Sequence, residues 1–240
     1  MLSCIATAQI SIALPTITTP PIGTVTTGST TDQNGNTVKT VQIGTQTWFA
    51  ENLKTTTYND GTTIPNVTDA TAWAALTTGA VCSYNNDESN VATYGRLYNW
   101  YAVNTRKLCP KGWHVPSNAE WTTLQTYLIA NGYNYDGSTT GNYIAKSMAS
   151  TTGWSSSTTT GAIGNTPSTN NSSGFTALPG GYRHNDGTFY LVGNYGYWWS
   201  STELNTSYAY YRTLTYNYSN LNSYPSSLVS GFSVRCLKDK

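Results

Sequence analysis

Everything after Thr151 is dense in Gly, Ser and aromatic residues, with a turn signal every few positions. Gly breaks helices, and Ser and Asn compete with a helix for its backbone hydrogen bonds, so this stretch is expected to form short strands joined by long loops. Helices are legible only earlier in the chain. One is read over Tyr94–Asn104, with Leu97, Trp100, Tyr101 and Val103 at helical spacing. A second opens at Pro116-Ser117-Asn118-Ala119-Glu120, where Ser117 is the N-cap and Glu120, three residues on, completes a capping box. Trp121, Leu124, Leu128 and Ile129 follow on one face, and Asn131-Gly132 ends the helix. A shorter helical piece is expected near Asn142–Met148. Two main helices followed by an irregular β-rich part define an α+β pattern. No repeat of fixed period is present.

Residues 9–37 carry Pro15, Pro20 and Pro21 and a Thr/Gly/Ser run from Thr24 to Thr31. Proline and glycine at that density suit neither a helix nor a central strand, so the stretch reads as an extended stalk. The turn Asn34-Gly35-Asn36 precedes Val38–Ile43, where apolar and polar residues alternate as a strand requires. The boundary is therefore placed near residue 37, with a tail over 1–37 and a domain over 38–240. Residues 1–8 match the end of a secretory signal, with Ala6-Thr7-Ala8 as the small-x-small pattern, but they lack its positive start. A true mature terminus, or an apolar tail that docks on a neighbouring subunit, fits equally.

Charge removes several function classes. Only 10% of residues are charged, against ~25% in ordinary globular chains, and twelve basic residues face eleven acidic ones. That balance provides no basic footprint for nucleic acid and no polybasic patch for an anionic membrane. No apolar run approaches the ~18 residues of a transmembrane helix. Solubility rests on hydroxyl and amide side chains, as in many extracellular and virion proteins. The expected location is therefore outside the cell, secreted or on its surface, or on a phage virion.

Six blocks carry a resemblance. VQIGTQTWFAENL (Val41–Leu53), YGRLYNWYA (Tyr94–Ala102), CPKGWHVPSNAEW (Cys109–Trp121), GGYR (Gly180–Arg183), WSSTE (Trp199–Glu203) and GFSVRC (Gly231–Cys236) resemble the Fibrobacter succinogenes major paralogous domain. That family is abundant in secreted proteins of Bacteroidota and Fibrobacter and occurs in their phages, without an established enzymatic activity. Its GWHVPSNAEW block is similar to one in formylglycine-generating-enzyme-like domains. The resemblance implies a C-type-lectin-like fold: two main helices, a small twisted antiparallel sheet and long loops, with the last strand (Gly231–Leu237) returning beside the first (Val38–Ile43). It also implies that Cys109 and Cys236 form the whole-domain disulfide, the alternative being two buried thiols in a reducing compartment. Cys82 is then left to Cys4 or unpaired.

Catalysis finds little support. The redox-active, metal-binding cysteines of formylglycine generation do not carry over, because Cys236 is the only cysteine beyond residue 109. His114 and His184 lie in no metal-ligand spacing, and His114 is expected to pack or hydrogen-bond between strand and helix. Asn85-Asn86-Asp87-Glu88 and Asn185-Asp186-Gly187 are oxygen-rich; turn chemistry explains them, with a structural calcium ion as the alternative. No cofactor, catalytic residue or resident metal is expected. The segment Asn194–Ser230, by contrast, interleaves Tyr and Trp with Asn and Ser, the composition of adaptable binding surfaces. The candidate ligand-binding residues are Tyr208, Tyr210, Tyr216, Tyr218, Asn220, Asn222 and Tyr224, with Arg183 and Arg212 as charged anchors. Trp199, Tyr211 and Leu214 are read as core. The expected role is non-enzymatic recognition of glycans or cell-surface proteins. The alternative is a decoration protein of a virion or cell surface whose aromatic face packs on neighbouring subunits.

Overall fold

The computed structural model describes residues 25–240; the signal-like block 1–8, Cys4 and the proline-bearing part of the tail lie outside the described residues. The chain opens with strands β1 (Thr26–Thr31), β2 (Thr37–Ile43) and β3 (Gln46–Phe49). Then come α1 (Ala70–Ala74), β4 (Val81–Cys82), α2 (Ser89–Tyr94), β5 (Leu97–Tyr98), α3 (Trp100–Asn104) and β6 (Trp113–His114). The longest helix, α4 (Asn118–Ala130), is followed by the single turn α5 (Ala145–Met148). The rest is strand and loop: β7 (Gly180–Arg183), β8 (Phe189–Val192), β9 (Tyr195–Asn205), β10 (Tyr208–Thr215), β11 (Asn222–Ser227) and β12 (Leu237–Lys238). One sheet runs β1-β2-β3-β12-β6, a second runs β11-β10-β9-β7-β8, and β4-β5 is a separate ribbon. The architecture is α+β.

Residue alternation explains why two sheets enclose two cores. Successive strand residues point to opposite faces. On β3, Trp48 enters one apolar cluster and Phe49 the other; on β9, Trp198 and Trp199 divide the same way. All four rings are essentially fully buried. Each such side chain contributes about 1.5–3 kcal/mol of burial. The α4 face of Trp121, Leu124 and Leu128 packs with Trp48 and Trp198, and the Trp48 and Trp121 rings lie 4.8 Å apart. The expected capping box is present, with Ser117 Oγ accepting from the Glu120 amide and Glu120 accepting from the Ser117 amide. Cys109 and Cys236 are joined by a disulfide, which ties the segment before β6 to the segment before β12. Among the described residues Cys82 is free and buried, and burial pushes its thiol up to about 12.

Four sequence expectations need correction. Tyr94–Asn104 is not one helix: Gly95 sits at φ +74°, where a Cβ would meet Asn52 and Leu53, so α2 ends there. Leu97 and Tyr98 pair with β4, and Asn99 caps α3 through the Ala102 amide. Second, the late strands are not all short, since β9 has eleven residues and β10 eight. Their aromatic and β-branched residues outweigh the nearby turn formers. Third, the last strand does not lie beside β2; β12 inserts between β3 and β6.

The fourth concerns the boundary at residue 37, because the sheet starts earlier. β1 pairs antiparallel with β2 along its whole length, and Asn34-Gly35 is the hairpin between them. Gln33 Nε2 donates to the Thr57 and Leu108 carbonyls, and Asn34 Oδ1 accepts from the Thr55 hydroxyl and the Thr56 amide, so this turn is built into the domain. An edge position tolerates the Thr/Gly/Ser composition of β1, which a central strand would not.

Candidate functional site

The face of β9, β10 and β11 opposite α4 is where the aromatic segment comes together. Tyr195 and Tyr197 on β9, Tyr211, Thr213 and Thr215 on β10, Asn222 and Tyr224 on β11, and Tyr218 from the connecting turn line one groove of about 340 Å³. The register puts these side chains side by side: Tyr211 faces Tyr224, while Thr213 faces Tyr197 on one flank and Asn222 on the other. Tyr195 and Tyr197 are stacked, with centroids 5.6 Å apart and planes 10° off parallel. Phe232, buried, packs at 5.2 Å from Tyr197 and 4.8 Å from Tyr211 and fixes the floor.

The lining contains no Lys, Arg, Asp, Glu or His. Burial, reinforced by the neighbouring Tyr224 and Tyr182, pushes the Tyr211 phenol up to about 12; burial raises Tyr197 further. Both stay protonated at any physiological pH, so the groove presents neutral hydroxyls that donate and accept. Tyr98, in the core, donates its hydroxyl to the Thr55 carbonyl at 2.7 Å. Among the described residues, the hydroxyls of the groove tyrosines make no such bond and remain available to a ligand. Such a surface stacks on apolar faces and hydrogen-bonds polar edges.

Of the residues expected from sequence, Tyr218, Asn222 and Tyr224 line the groove. Tyr208 lies at the far end of β10, opposite Asn205 in the β9–β10 hairpin, and neither it nor Tyr210 lines the groove. Tyr216 lies instead in a separate polar depression with Asn217 and Ser156–Thr159, and Asn220 lines neither. The arginines are not anchors. Arg183 is 0% exposed; it donates to the Val67, Thr68 and Gly187 carbonyls and lies 4.3 Å from the Trp73 ring centre. Arg212 is 2% exposed and donates to Asn118 and Thr122 of α4, and burial pulls its guanidinium down to about 10. Both point away from the groove, because each follows a groove-side tyrosine in its strand. Tyr195, Tyr197 and Tyr211 are the site residues that sequence reasoning missed. Their signal is the period-two spacing of Tyr195/Tyr197 and of Tyr211/Thr213/Thr215. Trp199 and Leu214 are buried as expected, whereas Tyr211 is only half-buried.

A second cavity of about 350 Å³ lies where β6 meets α4, lined in part by Arg106, His114, Ser117, Glu120 and Ser201. His114 bridges strand and helix as expected: Nε2 lies 3.0 Å from Glu120 Oε1, and Nδ1 lies 2.6 Å from Asp239 Oδ1. The other Glu120 oxygen accepts from the Ser117 amide and hydroxyl. Every polar atom of this imidazole is engaged. Its two carboxylates sit on opposite ring nitrogens, where they share no point for a cation. Among the described residues, no group of three or more His, Cys, Asp or Glu side chains is arranged to hold a metal. The oxygen-rich turns serve their own backbones, since Asp87 accepts from the Ser89 amide and Asp186 from the Thr188 amide, each at 2.9 Å.

No curated protein and no solved structure matches the chain. The model of the Fibrobacter succinogenes major domain matches residues 41–238, which takes in both sheets apart from β1 and the start of β2, all five helices and the tyrosine groove, and the chain belongs to that family.

Proposed function

We propose that this chain is a non-enzymatic binding module that recognises glycans through the tyrosine groove of β9–β11, on a C-type-lectin-like scaffold displayed outside the cell or on a virion. The observation that carries the reading is the pairing of rigid ring faces with free, neutral hydroxyls in one groove. Sugar rings offer the complementary surface, with C–H faces that stack on aromatics and hydroxyl edges that exchange hydrogen bonds. A tyrosine provides both at low entropic cost. The Cys109–Cys236 disulfide supports an oxidising compartment.

The test is a glycan array probed with the full chain, followed by titration of the selected glycan. Binding that falls about tenfold or more in Tyr224→Ala, without loss of folding, upholds the reading. Retention of a cell-surface protein with no glycan bound contradicts it.

A structural role in a surface or virion assembly has one observation in its favour. β1, six residues long and mostly exposed, is an edge strand among the described residues and carries no charge, proline or bulge, whereas the edge strand β11 holds Pro225. Unblocked edges pair with other strands. Self-assembly seen by mass photometry at micromolar concentration supports that role, and a monomer throughout counts against it.

A further inference from the structure

The aromatic surface does not stop at the groove. A row of tyrosines crosses the second sheet on the same face, one ring from each strand in sheet order: Tyr224 on β11, Tyr211 on β10, Tyr197 on β9 (with Tyr195 stacked beside it), Tyr182 on β7 and Tyr190 on β8. Consecutive ring centroids lie 6.2, 5.6, 4.8 and 5.8 Å apart, so the rings form one unbroken row. Strand pairing fixes this row. Tyr211 is opposite Tyr224 and Tyr182 opposite Tyr190, while the Gly181–Gly196 pair sets Tyr182 and Tyr197 abreast. At ~4.8 Å per strand spacing, the row spans roughly 19 Å.

Its profile is a saddle. Tyr224 and Tyr190 at the two ends are 51% and 43% exposed, whereas Tyr197 in the middle is 8% exposed. A pocket for a single terminal sugar has a closed end; this row is open at both. The row is also uncharged along most of its length. Arg183, next to Tyr182 in sequence, is turned to the opposite face and held by carbonyls. His184 and Asp186 lie only at the β7–β8 end and pair with each other at 3.1 Å.

We infer that the ligand is an internal stretch of an uncharged polysaccharide, laid across the strands from β11 to β8 with its sugar faces on the tyrosine row. This inference rests on the glycan reading above and adds to it the ligand's length and charge. Two features carry it: the row exceeds what one sugar covers, and it offers no cation to an acidic glycan.

The test is calorimetric titration of the full chain with size-graded cello-, xylo- and malto-oligosaccharides of one to six residues, with oligogalacturonates as the charged comparison. At least one neutral series should gain tenfold or more in affinity from one residue to six, and salt should leave that affinity unchanged. Tyr190→Ala should remove most of the gain for the longest member and leave a dimer's affinity unaltered. Tyr190→Phe should keep the gain if ring stacking carries it, and the exposure of Tyr190 means that neither change endangers the fold. A single sugar that binds as tightly as its hexamer, or a salt-sensitive preference for the galacturonates, overturns the inference and leaves glycan binding standing. Failure of every series to bind overturns both.

Discussion

Cys109 and Cys236 are 127 residues apart in sequence, so their disulfide closes a loop over more than half of the chain. A cross-link that long removes conformational entropy from the unfolded state, worth about 5 kcal/mol at room temperature in the chain-entropy treatment. Domains of this size are stable by only about 5–15 kcal/mol, so the bond accounts for a third or more of the total. The double substitution Cys109→Ala/Cys236→Ala should therefore lower the unfolding free energy in urea by about 4–5 kcal/mol. The m-value should rise, because the unlinked chain exposes more surface when it unfolds. Adding reductant to the unaltered protein should give a loss of the same order, and Cys82→Ala should not reproduce it. A loss below about 1 kcal/mol in the double variant would refute the entropic argument, since it would mean the unlinked chain is no more expanded than the linked one.

Other perturbations follow from particular contacts. Arg235 is fully buried and donates to Asn52 and to the Phe49, Phe175 and Thr176 carbonyls; Arg235→Met should cost about 3–5 kcal/mol by chemical denaturation, because those acceptors lose their donor. Ser117→Ala should cost about 0.5–2 kcal/mol through loss of the α4 cap. Burial pushes the Glu120 carboxyl up, but the Ser117 amide and hydroxyl and His114 outweigh it and hold it below the usual carboxylate range. Its folded value thus lies below its unfolded value. Its contribution is full at neutral pH and is lost as pH falls through the folded value, so melting curves at pH 7 and pH 3 should show the gap between Ser117→Ala and the unaltered protein narrowing in acid. Truncation to Asn36 removes β1 and makes β2 an edge; at ~0.2–1 kcal/mol per cross-strand pair it should cost a few kcal/mol in a urea melt.

The parts of this fold legible in the sequence are those whose cause is local. The α4 cap, its apolar face and its Asn131-Gly132 end lie within one run of residues, and each was read correctly. Tyr94–Asn104 failed because apolar spacing resembled a helix while Gly95 and Asn99 broke the backbone twice. The binding face was read one residue out of step in β10. Regular alternation sets Tyr208, Tyr210 and Arg212 on one side of the strand, and the same alternation sets Tyr211, Thr213 and Thr215 on the other, where the groove lies. The period within β10 separates the two sets, but which set is covered is decided by α4, whose Asn118 and Thr122 hold Arg212 from far away in sequence. The arginines failed for a related reason, since what surrounds Arg183 comes from Val67 and Thr68, far away in sequence.

The central claim is that the tyrosine groove is the binding surface, and the most direct test is one titration. Tyr218 and Tyr224 line the groove and are 56% and 51% exposed, so removing both rings should leave stability within about 0.5 kcal/mol per site. Calorimetric titration of the array-selected glycan into Tyr218→Ala/Tyr224→Ala, with its Tm checked against the unaltered protein, should show Kd weakened tenfold or more at unchanged Tm. An unchanged Kd in that folded variant would place recognition elsewhere on the molecule and contradict the account.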